Sequence, residues 1–118
     1  MDIKKRKMLL QRCESEFAYD REWKKTGLIA TGEEPTDYPV EVLLLPEPDN
    51  HYDKNAVQLL VDGTVLAYLP KETAKAHIKQ INKHINKHGS ATTQGIARLW
   101  KQDGETQYRL GIYLPAKW

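Results

Sequence analysis

Two Asp-Gly dipeptides, Asp62-Gly63 and Asp103-Gly104, do most to limit what this chain can fold into. Each interrupts a pair of short runs with strand-like alternation, and both positions of an Asp-Gly pair tolerate the positive φ of a two-residue type I′ turn. The first joins strands expected over 56–61 and 64–69, in a register that sets Val57 opposite Tyr68 and Leu59 opposite Leu66. The second joins strands expected over 94–100 and 106–114. Alternation there places Ala97, Leu99, Tyr108, Leu110 and Ile112 on one face and Arg98, Trp100, Arg109 and Tyr113 on the other. No repeating βαβ unit is present, which argues against a parallel nucleotide-binding sheet.

Between the hairpins, Pro70 opens a helix, since its fixed φ suits a first turn where its missing N–H is not needed. Ala74, Ile78, Ile81 and Ile85 form one apolar stripe, Gly89 ends the helix, and Lys75, Lys79, Lys83 and Lys87 lie around the other side. Ahead of the first hairpin, Val40, Val42 and Leu44 alternate with Glu41 and Leu43, giving a strand whose far end is apolar on both faces. Gly27 to Thr31 reads as a short strand and Gly32 to Pro39 as a loop. Residues 2–22 read as a helix, because Leu9, Cys13 and Phe17 recur every fourth residue with Leu10 beside them. Strand, hairpin, helix, hairpin makes an α+β fold of five or six short strands. It closes most economically as a small, strongly bent antiparallel β-barrel of the SH3-like or OB-like kind, with one crossing helix and an N-terminal helix. The expected division is a helical extension over 1–26 and a barrel domain over 27–118.

At 118 residues the chain is one domain by size, able to bury about two-thirds of its unfolded surface. The single cysteine, Cys13, leaves no internal disulfide framework and fits a reducing compartment. The longest apolar run, Val42 to Leu45, is far too short to span a membrane, and the N-terminal lysines are not followed by a signal-peptide core. A cytoplasmic protein is expected. The net charge of +2 says nothing for nucleic acid, but its distribution is uneven. Thr26 to Asp53 holds seven acidic residues and no Lys or Arg, whereas Lys71 to Trp118 holds nine basic and three acidic ones, and Lys4, Lys5, Arg6 and Lys7 add four more cations. Such segregation steers an anionic partner to one side or simply solvates two surfaces.

Candidate chemistry is sparse. There is no Gly-rich phosphate loop, no Gly-x-Ser-x-Gly elbow and no Cys-x-x-Cys pair. His77, His84 and His88 share a helix flank, and the last two have the spacing of metal ligands, but no carboxylate or cysteine on that face completes a site. Asp49, His51 and Asp53 alternate and would hold a divalent ion in a hydrolase, without evident groups to activate water or balance a leaving phosphate. Aromatic residues interleaved with cations (Tyr52 with Lys54, Tyr68 with Lys71, Trp100 and Tyr113 with Arg98 and Arg109) suit base stacking beside phosphate, or else form core.

The stretch Glu47-Pro48-Asp49-Asn50-His51-Tyr52-Asp53-Lys54-Asn55-Ala56-Val57, followed by Ala67-Tyr68-Leu69-Pro70-Lys71-Glu72, resembles the HIRAN domain. That family's pattern is a strand, Glu-Pro-x-Asn-x-Tyr-Asp-x-Asn-Ala, a hairpin, Gly-Tyr-hydrophobic-Pro and a helix, and the resemblance covers about residues 27–114. It implies a bent barrel with flanking helices and a pocket for the 3′ end of single-stranded DNA. Carried over by motif, Asp53 accepts from the terminal 3′-hydroxyl, Asn50 contacts the terminal nucleotide and Tyr52 stacks on it. Lys71 meets a backbone phosphate, Tyr68 lines the pocket and Tyr108 takes the family's second aromatic position.

The function so implied is a non-enzymatic DNA-binding module without cofactor, accessory to DNA repair or replication, with a repair or replication ATPase or nuclease as protein partner. This sequence departs from the pattern at His51, where the family has proline, and at Ala67, where it has glycine. The loop over 32–38 offers Tyr38 but three acids, Glu33, Glu34 and Asp37, in place of a basic–aromatic pair. The alternative is therefore a protein-interaction module that keeps the fold without DNA binding, through the acidic 33–53 face or through Trp100 and Tyr113.

Overall fold

The computed structural model describes the backbone of residues 2–3 and 8–14 and the chain from 20 to 115. Its elements are β1 (Asp2–Ile3), β2 (Met8–Glu14), α1 (Asp20–Lys25), β3 (Thr36–Pro46), β4 (Val57–Val61), β5 (Thr64–Tyr68), α2 (Lys71–His88), β6 (Thr92–Gln102) and β7 (Glu105–Pro115). The strands form one sheet in the order β2-β7-β6-β3-β4-β5, with β1 parallel to the start of β6 and every other pairing antiparallel. The eleven-residue β3 changes partner midway. Thr36 to Leu43 pair with β6, and Leu43 to Pro46 pair with β4, so the sheet bends there. The two ends of the path, β2 and β5, come into contact, which curls the sheet toward a barrel. Five long-range antiparallel strands and two helices make the expected α+β, OB-like half-barrel, to which the N-terminal residues add β1 and β2.

Both Asp-Gly turns have the expected backbone. Asp62 and Gly63 lie at φ 50° and 78°, Asp103 and Gly104 at 53° and 80°. Gly89 closes α2 in the left-handed region at φ 89°, and its N–H donates to the Ile85 carbonyl at 2.6 Å. Inward-facing residues alternate along β3, β4 and β6. Val42, Leu44, Val57, Leu59, Leu99, Leu110, Ile112 and Leu114 are fully buried, and Ala74 and Ile81 of α2 pack onto them. Tyr108 falls on this inner face as expected, packed against the core. Among the described residues no helix is long and apolar enough to cross a membrane.

Four local expectations fail, each for a physical reason. The N-terminal helix over 2–22 is instead strand β2 over Met8–Glu14, with helix only over Asp20–Lys25. A four-residue repeat is also an even one, so Leu9 and Cys13 share a face in either conformation, and the open edge of β7 supplies backbone partners from Met8↔Pro115 to Glu14↔Arg109. Phe17 lies outside the described residues. The strand expected over Gly27 to Thr31 forms no ladder. Leu28 and Ala30 turn toward the core, but the Ile29 carbonyl accepts from the Tyr38 hydroxyl at 2.7 Å and the Leu28 N–H donates to Thr26 Oγ1 at 3.2 Å.

The loop expected through Pro39 is strand from Thr36 onward, with Pro39 opposite Ile96. Over that stretch β3 pairs with β6 on one side and not yet with β4 on the other, an edge position where a missing N–H costs little. Finally, the first hairpin keeps the expected register at Val61↔Thr64 and Leu60↔Val65, then slips by one through a bulge to Leu59↔Ala67 and Gln58↔Tyr68. The bulge lets Leu66 and Ala67 both be buried and re-aims Tyr68.

One glycine is demanded by space. A Cβ on Gly95 would stand 2.7 Å from the Gly111 carbonyl oxygen and 2.9 Å from Val42 Cγ2, where β6 crosses between β3 and β7. Gly95→Ala is expected to cost roughly 1–3 kcal/mol by overpacking. Urea unfolding would show it as a lower midpoint at unchanged slope, and an unmoved midpoint would mean the strands separate there freely.

Candidate nucleic-acid interface

The loop between β3 and β4 is built from its own side chains. The Glu47 N–H donates to the Ala56 carbonyl at 2.8 Å, which pinches the loop shut at its base. Inside it, the Asn50 N–H donates to the Glu47 carbonyl at 3.0 Å and the Ala56 N–H to the Asp53 carbonyl at 3.0 Å. Asn50 Oδ1 accepts from two backbone donors, Tyr52 N–H at 2.8 Å and Asp53 N–H at 2.9 Å. Asp53 Oδ1 accepts from the Asn55 N–H at 2.9 Å. Asp and Asn are the residues that satisfy a bend in this way.

Glu47 sits beneath this arrangement. Its Oε1 accepts from Asn50 Nδ2 at 2.7 Å, and its Oε2 accepts from the Tyr68 hydroxyl at 2.9 Å and from Gln58 Nε2. Gln58 and Tyr68 are paired across β4 and β5, so the carboxylate clamps the loop to the first hairpin. Hydrogen bonds from Asn50 and Tyr68, with a smaller one from Gln58, hold the Glu47 carboxyl below the usual carboxylate range. Sequence reading quoted Glu47 as part of the motif and gave it no role. The signal that would have found it is a glutamate at the base of an Asx-rich turn, facing a Gln and a Tyr paired on the next hairpin.

The six residues singled out from the sequence divide accordingly. Asn50, Tyr52, Asp53 and Tyr68 are brought together, but Asn50 and Tyr68 spend their polar groups on the loop. Tyr52 stands at the tip with 95% of its surface exposed. Asp53 is half-buried with one oxygen braced, and its Oδ2 has no hydrogen bond among the described residues. Lys71 opens α2, is exposed, and lies near the end of the loop because the Leu69 N–H donates to the Val57 carbonyl at 3.0 Å. Tyr108 lies on the inner face of β7. Its ring stacks on the buried Trp23, with centroids 4.9 Å apart and planes at 24°.

The other candidates stand apart from the loop. His84 and His88 lie with ring centroids 4.5 Å apart, and His88 is held below the ordinary histidine value by burial first, then by His84 and Lys87. Burial lowers His77 likewise. Among the described residues no three His, Cys, Asp or Glu side chains come together as a metal would need, at Asp49, His51 and Asp53 or elsewhere. The acids of the 32–38 loop differ in state. Asp37 receives Arg98 Nε at 2.6 Å and Nη2 at 2.9 Å, a bidentate pair that lowers its pKa and neutralises it, while Glu33 and Glu34 are exposed. On the same outer face, the Arg109 guanidinium lies 5.5 Å from the Trp100 ring.

No curated protein matches the chain. Among solved structures, the crystal structure of the HIRAN domain of human HLTF aligns over 92% of this chain and 77% of that one, at 18% identity and a TM-score of 0.45. The family model for the HIRAN domain matches residues 26–114, from the end of α1 nearly to the end of β7, and so takes in the clamped loop, the bulged hairpin and the crossing helix together. On that match the chain belongs to the HIRAN domain family.

Proposed function

We propose that the chain is a non-enzymatic DNA-binding module that takes single-stranded 3′ ends at the Glu47–Asn55 loop, as an accessory to DNA repair or replication. One observation carries the proposal. Tyr52 stands almost wholly in water at the tip of a loop whose backbone Asn50 fixes at Tyr52 and Asp53. A large ring carried outside the core gains nothing for the fold, and the braced backbone beneath it presents it to a flat ligand.

In this reading Tyr52 stacks on the terminal base, a contact worth roughly 1–3 kcal/mol. Asp53 Oδ2 accepts from the 3′-hydroxyl, a charge-assisted bond worth about 1.5–3 kcal/mol. The same carboxylate repels a phosphate there, so a continued or 3′-phosphorylated strand is refused. Lys71 meets the backbone phosphate from the start of α2. Asn50 and Tyr68 act by holding the loop, and Tyr108 acts through the fold. Remodelling of the bound end falls to a repair or replication ATPase or nuclease working beside it.

The test is fluorescence anisotropy with one labelled oligothymidine ending in either 3′-hydroxyl or 3′-phosphate. The hydroxyl end is expected to bind at least about tenfold tighter, equivalent to roughly 1.4 kcal/mol. Asp53→Ala should abolish the preference, and affinity should fall with salt. Equal binding of the two ends, or a preference that survives Asp53→Ala, refutes the assignment.

A further inference from the structure

The outer face of the sheet carries a hollow of about 610 Å³ where β3, β6 and β7 run side by side. It is lined by Asp37, Pro39 and Glu41, by Gln94 and Ile96, and by Tyr113. These alternate along their strands with the fully buried Val42, Ala97, Ile112 and Leu114, so the hollow lies on the opposite side of the sheet from the core. None of Asn50, Tyr52, Asp53 or Lys71 lines it. Its volume falls in the range of built ligand sites, enough for two or three side chains.

Its chemistry is specific. Pro39, Ile96 and the ring of Tyr113 supply apolar surface. Of the two carboxylates, Asp37 is consumed by Arg98 through bonds of 2.6 and 2.9 Å, which leaves the exposed Glu41 as the charge the lining presents. Among the described residues, no lysine, arginine or histidine lines it. Such a surface repels phosphate and favours a cation set beside an apolar group.

We infer that this hollow docks a partner protein through an exposed segment bearing a lysine or arginine beside an aliphatic side chain. The aliphatic group packs on Pro39, Ile96 and Tyr113 while the cation reaches Glu41. Because the hollow and the Tyr52 loop share no residue, one chain can hold a DNA end and a partner at once. The inference stands whether or not the DNA reading does.

The test is a ¹H–¹⁵N spectrum of the full chain titrated with the peptide acetyl-Gly-Ser-Lys-Leu-Arg-Leu-Lys-Ser-Gly-amide. Saturable shifts are expected at the amides of Glu41, Gln94, Ile96 and Tyr113, with the amides of Tyr52 and Asp53 unmoved. Glu41→Lys should weaken binding by at least about tenfold. A control peptide with glutamate at each basic position should not bind. The proposal is overturned if the shifts scatter over the surface, if Glu41→Lys binds as well as wild type, or if oligothymidine displaces the peptide. Binding that appears only after Lys4, Lys5, Arg6 and Lys7 are changed to serine would assign the hollow to the chain's own basic run, and overturns it equally.

Discussion

Replacing Asn50 by alanine is expected to weaken DNA-end binding by about a hundredfold, the equivalent of roughly 2.7 kcal/mol, while the barrel stays folded. The side chain does three things at once. Its Oδ1 fixes the backbone at Tyr52 and Asp53, and its Nδ2 orients Glu47, which in turn holds Tyr68 and Gln58. Alanine leaves two N–H groups and a carboxylate oxygen to water, so the backbone that carries Tyr52 and Asp53 loses its fixed shape and the bound geometry must be ordered anew. Asn50→Asp separates this cause from a direct contact. Its carboxylate still accepts from both N–H groups, but its second oxygen faces Glu47 Oε1 across the 2.7 Å that the amide now bridges.

Two carboxylates that close repel each other when both are ionised, so the variant pair takes up a shared proton at a higher pH than either group would alone. Relative to wild type, Asn50→Asp should bind poorly near pH 8 and recover toward roughly pH 5, as the proton bridges the pair. Wild type runs the other way. The folded-state pKa of Glu47 lies below its unfolded value, so its contribution is present above the ordinary carboxylate range and is lost as pH falls through the lower folded value. Anisotropy across that range, expressed as the ratio of variant to wild type, decides the matter. A flat ratio, or undiminished binding by Asn50→Ala, would show that the loop holds its shape without the amide.

The same residues show how far the sequence could be read. Asp62-Gly63, Asp103-Gly104, Pro70 and Gly89 each impose a backbone state through local sterics, and local sterics are what a single sequence displays. The hairpins and the crossing helix were therefore legible. The string from Glu47 to Ala56 was legible as a bend because its Asx residues hydrogen-bond their own main chain, and its resemblance to the HIRAN pattern marks it as a candidate site. Its internal wiring was not. Asn50 and Tyr68 looked like ligand contacts because an amide and a phenol can serve either purpose, and only the fold shows that both turn to Glu47. The bulge at Leu66 was hidden for a similar reason, since one slipped residue changes the partner of Tyr68 without changing any local preference. Leu9 and Cys13 failed as helix markers because the decision rested on the edge of β7, a hundred residues away. The outer hollow has no local signature at all, being assembled from residues of three strands far apart in the sequence.

Trp23→Ala is expected to be the most damaging single change in the described chain, costing about 3–5 kcal/mol as large buried aromatics do. Trp23 heads the fully buried side chains by volume, and its ring lies stacked on Tyr108. That stacked pair adds roughly 0.5–1.5 kcal/mol beyond burial. Its Nε1–H, however, is buried without a hydrogen-bond partner among the described residues. Trp23→Phe removes this unsatisfied donor, relieving about 1–3 kcal/mol of desolvation that offsets much of the lost volume, so it should unfold within about 1.5 kcal/mol of wild type. Urea unfolding of both variants is the measurement, and a phenylalanine variant as unstable as the alanine one would show that the indole N–H is satisfied in solution. Trp23 also lies ahead of the matched residues 26–114, and so does β2, which covers the β7 edge from Met8 to Glu14. A chain begun at Thr26 would open the Trp23 cavity and bare that edge together, which invites pairing between copies. It should therefore aggregate or unfold non-cooperatively. A fragment 26–118 with the full chain's urea midpoint would return the first 25 residues to the role of a dispensable extension.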